Sequence, residues 1–115
     1  MASRALVVAI EDYPDCNGAL PPLTGTIASA DRFVKDALPL LGVARQNVRY
    51  CCSGKSDHKT HDATSDALIT AITELIVAGP NTTPELYVFI SGHGAMIEGP
   101  RGEPDRDVLF CSDFV

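Results

Sequence analysis

The stretch that most constrains the fold is 85–94, which reads ELYVFISGHG. Five consecutive apolar residues, 86–90, are mostly β-branched or aromatic, which is typical of a strand buried on both faces of a parallel sheet. The run ends at SGHG, whose two glycines predict a tight turn that allows close approach of backbone and ligand. Ligands of open parallel sheets bind beyond the carboxyl ends of the strands. The pattern therefore places His93 where such a sheet does its chemistry.

The rest of the chain alternates between strand and helix patterns. A second apolar run over 4–10 predicts a first central strand, and the less apolar stretch 47–52 predicts a short strand nearer to a sheet edge. Apolar residues at helical spacing predict a helix over 28–41 that Ser29 caps, Pro39 interrupts and Gly42 terminates. The segment between the first strand and this helix, 11–25, is rich in Pro, Gly and Asp. It is either a binding loop or a simple connector.

The clearest helix pattern covers 63–78. Thr64 is the predicted cap, and Gly79-Pro80 is the predicted end. The apolar face comprises Leu68, Ile72, Leu75 and Ile76.

The order strand, helix, strand, helix, strand predicts an α/β fold, with a mostly parallel sheet flanked by helices, in one domain over 1–115. After Gly94 the composition of the chain changes, because 95–107 is rich in glycine, proline and acidic residues. This segment predicts a hairpin or loop, followed by a short strand over 108–111.

Charge and composition limit the function classes. The net charge of -6 and pI of about 4.8 argue against nonspecific binding to nucleic acid or to an anionic membrane. No apolar run approaches the roughly 20 residues of a membrane span. The first apolar run is short and is followed by Glu11 and Asp12, unlike a signal peptide. The expected location is therefore cytoplasmic, where the four cysteines, Cys16, Cys51, Cys52 and Cys111, are expected to be free thiols.

His93 is suited to general base catalysis, since imidazole changes charge between about pH 5 and 8. The backbone N–H of Gly94 could then face a developing oxyanion. A structural histidine or a phosphate-type loop is an equally good interpretation of SGHG alone.

Four segments together resemble the caspase-like cysteine peptidases, most closely the metacaspase and bacterial caspase-like branch. They are RALVVAIEDYP, LTGTIASADRF, YVFISGHG and RGEPDRDVLFCSDF, and they span nearly the whole chain in the family's order. The resemblance implies a three-layer caspase-type sandwich and hydrolysis of peptide bonds by a Cys/His dyad.

The resemblance also implies roles for particular residues. The family's catalytic histidine falls on His93 and its oxyanion glycine on Gly94, while Ser91 matches a position lining the primary specificity pocket. Metacaspases place an acidic residue of that pocket at the position of Ser29. Whether this chain shares their preference for a substrate with Arg or Lys before the scissile bond is therefore left open. Asp113 matches a later aspartate and is expected either to contribute to the pocket or to cap a turn.

The family's nucleophile lies on a later strand, and Cys111 falls where the family has proline. The resemblance therefore implies that 1–115 is a large-subunit-like portion, inactive alone, whose partners are a C-terminal small-subunit part and a peptide substrate. Without that part, the strand leading to His93 would have an unpaired edge. The chain is then expected either to bind its remainder or to self-associate.

Other interpretations remain. Cys51 and Cys52 with His58 and His61 could form a metal cluster, but zinc sites usually show spaced pairs, so buried thiols are favoured. Metacaspases often need calcium, and the acidic residues Glu98, Glu103, Asp105 and Asp107 offer oxygen ligands, although a solvated loop is favoured and no cofactor is expected. The alternative functions are a catalytically inactive caspase-like interaction module and a small flavodoxin- or receiver-like ligand-binding domain.

Overall fold

The protein is a three-layer α/β structure in a computed structural model that describes residues 3–78 and 85–115. Four parallel strands form one sheet in the order β3-β2-β1-β4, where β1 is Arg4–Ala9, β2 Val48–Cys52, β3 His61–Asp62 and β4 Leu86–Ser91. An antiparallel hairpin follows, with β5 at Gly94–Ile97 and β6 at Arg106–Leu109. The predicted parallel α/β sheet and the predicted hairpin are confirmed.

The first helical segment has three parts. They are α1 (Thr26–Arg32), a π-helical turn (Phe33–Ala37) and α2 (Leu38–Leu40). The prediction that Ser29 caps this helix is wrong, because Gly25 occupies the cap position at φ 81° and Ser29 lies inside α1. Gly42 ends the segment at φ 77°, as predicted.

The π-helical turn has a simple cause. Pro39 has no N–H, and its ring crowds the carbonyl four residues earlier, which belongs to Lys35. The N–H of Leu38 accordingly donates to the carbonyl of Phe33, five residues back. The interruption predicted at Pro39 is therefore a widened turn rather than an end of the helix.

The second long helix, α3, spans Ser65–Ala78 and packs on β1, β2 and β3. Thr64 caps it as predicted, since its Oγ1 accepts the N–H of Ala67 at 3.3 Å. The predicted apolar face is only partly right, because Leu75 is buried but Ile72 and Ile76 are exposed. The predicted end at 79–80 lies outside the described residues.

Two apolar cores lie on opposite faces of the sheet. Val7 and Tyr50 pack with Ala30 of α1 on one face, while Leu6 and Val8 pack with Leu75 of α3 on the other. Since every residue from Ala5 to Ala9 is buried, β1 is the central strand that its sequence predicts.

The burial expected for β4 on both faces of the sheet is wrong. In the described part of the chain, β4 is an edge strand that pairs only with β1. On the α3 side of the sheet its Leu86, Val88 and Ile90 are 52%, 52% and 53% exposed. On the other side Phe89 stacks on Phe33, with ring centroids 5.1 Å apart. As its prediction near a sheet edge requires, β2 lies next to the two-residue edge strand β3, which pairs with it on the side away from β1.

No helix among the described residues is both long and apolar enough to cross a membrane.

Candidate functional site

The chain reverses its direction across the sheet between β1 and β4. From β1 it passes through α1 on one face to β2, and from β2 through α3 on the opposite face to β4 on the far side of β1. Such a reversal leaves a crevice at the carboxyl ends of the two strands, where open α/β sheets bind ligands. The N–H of Ile10 donates to the carbonyl of Ser91 at 3.0 Å and joins the two strands at this point.

His93 occupies this crevice with its ring oriented by a carbonyl group. Its Nε2 lies 2.8 Å from the carbonyl oxygen of Pro21 in the loop that follows β1. A carbonyl only accepts hydrogen bonds, so this contact assigns the proton to Nε2 and leaves Nδ1 as an acceptor. The ring is half-buried, and its centroid lies 5.3 Å from that of Tyr13. A held imidazole with one unprotonated nitrogen is the arrangement that a general base requires.

Tyr13 fixes the backbone at the same place. The N–H of His93 donates to Oη of Tyr13 at 2.8 Å. Burial raises the pKa of this phenol, an effect that the His93 N–H partly opposes. The hydroxyl therefore stays protonated at neutral pH and keeps an O–H to donate. Sequence reasoning missed this residue because its partner is 80 positions away, and the only available signal was an aromatic side chain in a polar loop.

Close packing explains both glycines of SGHG. A Cβ at Gly92 would lie 3.0 Å from Oη of Tyr13 and 3.3 Å from Cβ of Ile10. A Cβ at Gly94 would lie 2.8 Å from the carbonyl oxygen of Val108 in β6. A side chain at Gly94 would collide with backbone, and one at Gly92 would be a tight fit that requires its neighbours to shift slightly, so packing by itself explains the glycine pattern.

The N–H of Gly94 is directed away from β6. The N–H of Phe110 donates to the carbonyl of His93, which makes 93 and 110 a hydrogen-bonded pair. Because such pairs alternate in an antiparallel ladder, the next pair, Gly94 and Leu109, is non-hydrogen-bonded. The Gly94 N–H therefore faces away from the hairpin partner, where a ligand oxygen could accept it.

A cavity of about 500 Å³ adjoins Tyr13 at this edge of the sheet. The loop after β1 supplies most of its wall, and Ser53 and Ser112 complete it. Oγ of Ser53 accepts the N–H of Glu11 at 2.8 Å, which ties the start of this loop to the end of β2. The volume lies within the range of about 300–1,000 Å³ that is usual for small-molecule sites.

Of the other predicted site residues, Ser91 lies near His93 in the sequence, whereas Ser29 and Asp113 belong to other parts of the structure. Ser91 ends β4 two residues before His93 and is half-buried. Ser29 is exposed on α1. The carboxylate of Asp113 accepts the N–H of Ser65 at 3.0 Å and its hydroxyl at 3.1 Å, at the start of α3. These two hydrogen bonds lower the pKa of Asp113. Among the described residues, neither Ser29 nor Asp113 is hydrogen-bonded to His93.

The four cysteines are free, and three of them, Cys16, Cys51 and Cys52, are buried. Burial raises the pKa of Cys51 to about 12, with smaller contributions from neighbouring thiols and Glu74. Burial also raises the pKa of Cys111. In residues 3–78 and 85–115, no thiol is hydrogen-bonded to the ring of His93. Since the thiolate is the nucleophile, the raised pKa values make Cys51 and Cys111 poor nucleophiles.

The candidate metal ligands have other partners. Cys51 and Cys52 belong to opposite cores, and Nε2 of His61 lies 2.9 Å from Oε1 of Glu74. In the acidic loop, Asp105 accepts the N–H of Gly99, and Glu103 lies 3.6 Å from Arg106. Within the described ranges, no three His, Cys, Asp or Glu side chains are grouped so that they could hold a metal ion.

Comparison with known proteins gives no relative. No protein-family model matches the chain, and no curated protein matches it significantly.

Proposed function

We propose that the chain is the histidine-bearing portion of a caspase-like cysteine endopeptidase, whose nucleophilic cysteine lies on a segment outside these 115 residues. The observation that carries the proposal is the imidazole of His93, held through Nε2 by the Pro21 carbonyl and open at Nδ1. A nucleophile, a base and a group that orients the base form the general arrangement of covalent catalysis. In this proposal His93 is the base and the Pro21 carbonyl is the group that orients it.

The free edge of β4 supports the position of the missing nucleophile. A further strand paired with β4 would run about 4.8 Å away, so a residue at its end would reach the neighbourhood of His93. The half-exposed Leu86, Val88 and Ile90 give this added segment an apolar surface to cover. Edge strands usually carry charges, proline or bulges, whereas β4 reads LYVFIS and has none of these. Its composition is that of an interior strand.

The proposed reaction proceeds through an acyl-enzyme. Nδ1 of His93 takes the proton of the external cysteine, and the thiolate attacks the scissile carbonyl carbon. The N–H of Gly94 donates to the oxyanion, and His93 then protonates the leaving amine. Water, deprotonated by the same imidazole, hydrolyses the thioester and releases the acid. The Pro21 carbonyl stabilises the imidazolium formed in the first step.

The cavity next to Tyr13 is the proposed binding place for the substrate side chain. Ser91 is the last residue of β4, and its proposed role is to contribute to the specificity pocket. Asp113 is better explained by its two hydrogen bonds from Ser65 at the start of α3, beside the cap residue Thr64, so its proposed role in the pocket is secondary.

The test compares the full protein containing these residues with its His93→Ala variant in hydrolysis of a fluorogenic peptide library. We expect His93→Ala to reduce turnover at least about 100-fold, the usual contribution of a general base. His58→Ala, at a half-buried histidine before β3, is the matched control and should retain full activity. Equal turnover by the wild type and His93→Ala would refute the assignment. Folded protein without thiol-dependent hydrolysis would identify it as an inactive interaction module.

A second candidate function is that of a small doubly wound ligand-binding domain. If the two-residue strand β3 is left out of the numbering, the order β2-β1-β4 becomes 2-1-3, which is the arrangement of flavodoxin-like sheets. The cavity of about 500 Å³ also has the size of a small-molecule site. A fragment screen by NMR separates the candidates. Saturable binding in this cavity by the chain, with no hydrolysis by the full protein, would favour the ligand-binding domain.

A further inference from the structure

A second cavity lies at the opposite end of the sheet from His93. It has a volume of about 190 Å³ and is formed where the π-helical turn and α2 cover the amino end of β2. Val48, the first residue of β2, lines it and pairs with Ala5 near the start of β1. His93 follows the carboxyl end of β4, so this cavity is separate from the candidate active site.

The floor of the cavity is apolar and its rim is basic. Leu38, Val43 and Val48 are buried at the floor. Lys35 and Arg45 are exposed at the rim. One guanidinium nitrogen of Arg45 donates to the carbonyl of Asp57 at 3.1 Å, which holds the group over the opening while its other donors stay available.

These two cations have no counter-ions in the described part of the chain. The ion pairs there involve Arg49, Lys59, His61 and Arg106, and none involves Lys35 or Arg45. Their neighbours Asp36 and Asp57 do not pair with them. In a protein with 15 acidic and 9 basic residues, Lys35 and Arg45 place two cations that form no ion pair among the described residues at the rim of an apolar cavity. Cations free to pair in this position are complementary to an anionic ligand with an apolar part.

The size of the cavity indicates which class of ligand fits it. At about 190 Å³ it is smaller than the roughly 300–1,000 Å³ of sites that enclose a whole small molecule, and it suits one large side chain. Interfaces between proteins are commonly anchored by one such side chain in a pocket with polar groups around it. We propose that this cavity, which we call the basic-rimmed cavity, binds an acidic peptide that inserts a single large apolar side chain between Lys35 and Arg45.

The proposal is tested by fluorescence anisotropy with the 115-residue chain and a fluorescein-labelled peptide of sequence DEFED. Replacing the anchor, in DEAED, should weaken binding about ten-fold or more, since a buried aromatic side chain contributes that much. The double variant Lys35→Glu/Arg45→Glu should weaken DEFED binding about ten-fold at low salt. Its thermal unfolding should match that of the wild type, because both side chains are exposed.

A matched control reverses two exposed cations that do not line the cavity, in Arg32→Glu/Arg101→Glu, and should bind DEFED as the wild type does. Equal binding of DEFED and DEAED would overturn the proposal, and so would equal weakening by both double variants. Binding of the inverted peptide KRFRK as tightly as DEFED would also overturn it. His93→Ala should leave the affinity unchanged, so the result does not depend on the proposed peptidase function.

Discussion

Tyr13 shows how one side chain can organise a site whose other parts come from distant segments. Its ring packs against the ring of His93, and its hydroxyl accepts the His93 N–H. A Cβ at Gly92, before the histidine, would lie only 3.0 Å from this hydroxyl, which is a tight contact. The position of the imidazole therefore depends on a residue from the first loop as much as on its own strand.

Tyr13→Phe should lower the free energy of unfolding by about 1–2 kcal/mol, because the part-buried N–H of His93 loses its acceptor while the ring packing is kept. Urea unfolding followed by circular dichroism measures the change. Tyr87→Phe is the matched control, since the exposed Tyr87 hydroxyl is hydrogen-bonded, among the described residues, to Glu85 alone, and it should change stability by less than about 0.5 kcal/mol. Equal effects of the two substitutions would contradict this role of Tyr13.

Asp113 makes the stability of the start of α3 depend on pH. The N–H and hydroxyl of Ser65 hold the pKa of Asp113 below its usual range. A carboxyl group whose pKa is lower in the folded state stabilises the protein above its unfolded pKa, about 3.9, and loses this contribution as the pH falls through the folded pKa. The sign is therefore stabilisation at neutral pH and none in strong acid.

Asp113→Ala should reduce the urea midpoint at pH 7, and the difference from the wild type should shrink as the pH falls below about 4. Urea titrations at intervals between pH 7 and 3 measure this convergence. Asp57→Ala removes an exposed carboxylate and serves as the control, with no change of midpoint at either pH. A difference that stays constant over the whole range would show that the charge of Asp113 does not contribute.

The hairpin of β5 and β6 is an element whose closure depends on one glycine. Gly94 lies opposite Leu109, and the carbonyl of Val108 occupies the space that a Cβ would need. Two-stranded hairpins have little stability of their own, so this contact is critical for the pairing.

Gly94→Ala should destabilise the protein by about 1–3 kcal/mol, the usual cost of an added methyl group in a packed place. Amide hydrogen exchange should show loss of protection in β5 and β6 with protection retained in β1. Ala95→Ser, at the next, exposed position of β5, should leave the hairpin amides protected. Retained protection in Gly94→Ala would contradict the close approach.

At the scale of the whole molecule, the sheet is covered unevenly. The helix α3 packs on β1, β2 and β3, whereas β4 leaves apolar side chains half-exposed on the same face. The radius of gyration is 15.1 Å, larger than the roughly 13 Å expected for a compact chain of this length. The hairpin forms a separate two-stranded sheet, and Leu86, Val88 and Ile90 of β4 form a half-exposed apolar surface. A surface of this kind on an unpaired strand favours association.

The isolated chain should therefore show an average mass in sedimentation equilibrium that rises above 12.2 kDa with concentration. Val88→Lys places a charge on the bare face of β4 and should return the chain to monomer. Leu40→Lys, at an 88% exposed residue of α2 on the other side of the sheet, should not. A wild-type chain that stays monomeric at every concentration would argue against the need for a partner along β4.

Much of the architecture was predictable from local patterns. The apolar run 4–10 predicts a central strand, helical spacing predicts the two helical segments, and the glycine- and proline-rich stretch after Gly94 predicts the hairpin. Cap residues were less certain, because Thr64 and Gly42 act as predicted whereas Gly25 replaces Ser29. The position of His93 just beyond the end of a strand also follows from the sequence, since the apolar run stops at SGHG.

The sequence by itself determined the kinds of element, their order and the place of the candidate residue His93 after a strand, because these depend on propensities and periodicities within short segments. Tertiary structure alone decided that β4 is half-exposed on its α3 side and that β3 pairs with β2, since an apolar run of a given length is compatible with either degree of burial. It also decided that Pro21 orients His93, that Tyr13 fixes its backbone and that Asp113 belongs to α3. Each of these contacts joins residues separated by 48 to 80 positions. No local pattern encodes such contacts, because their energies arise only when packing brings the segments together.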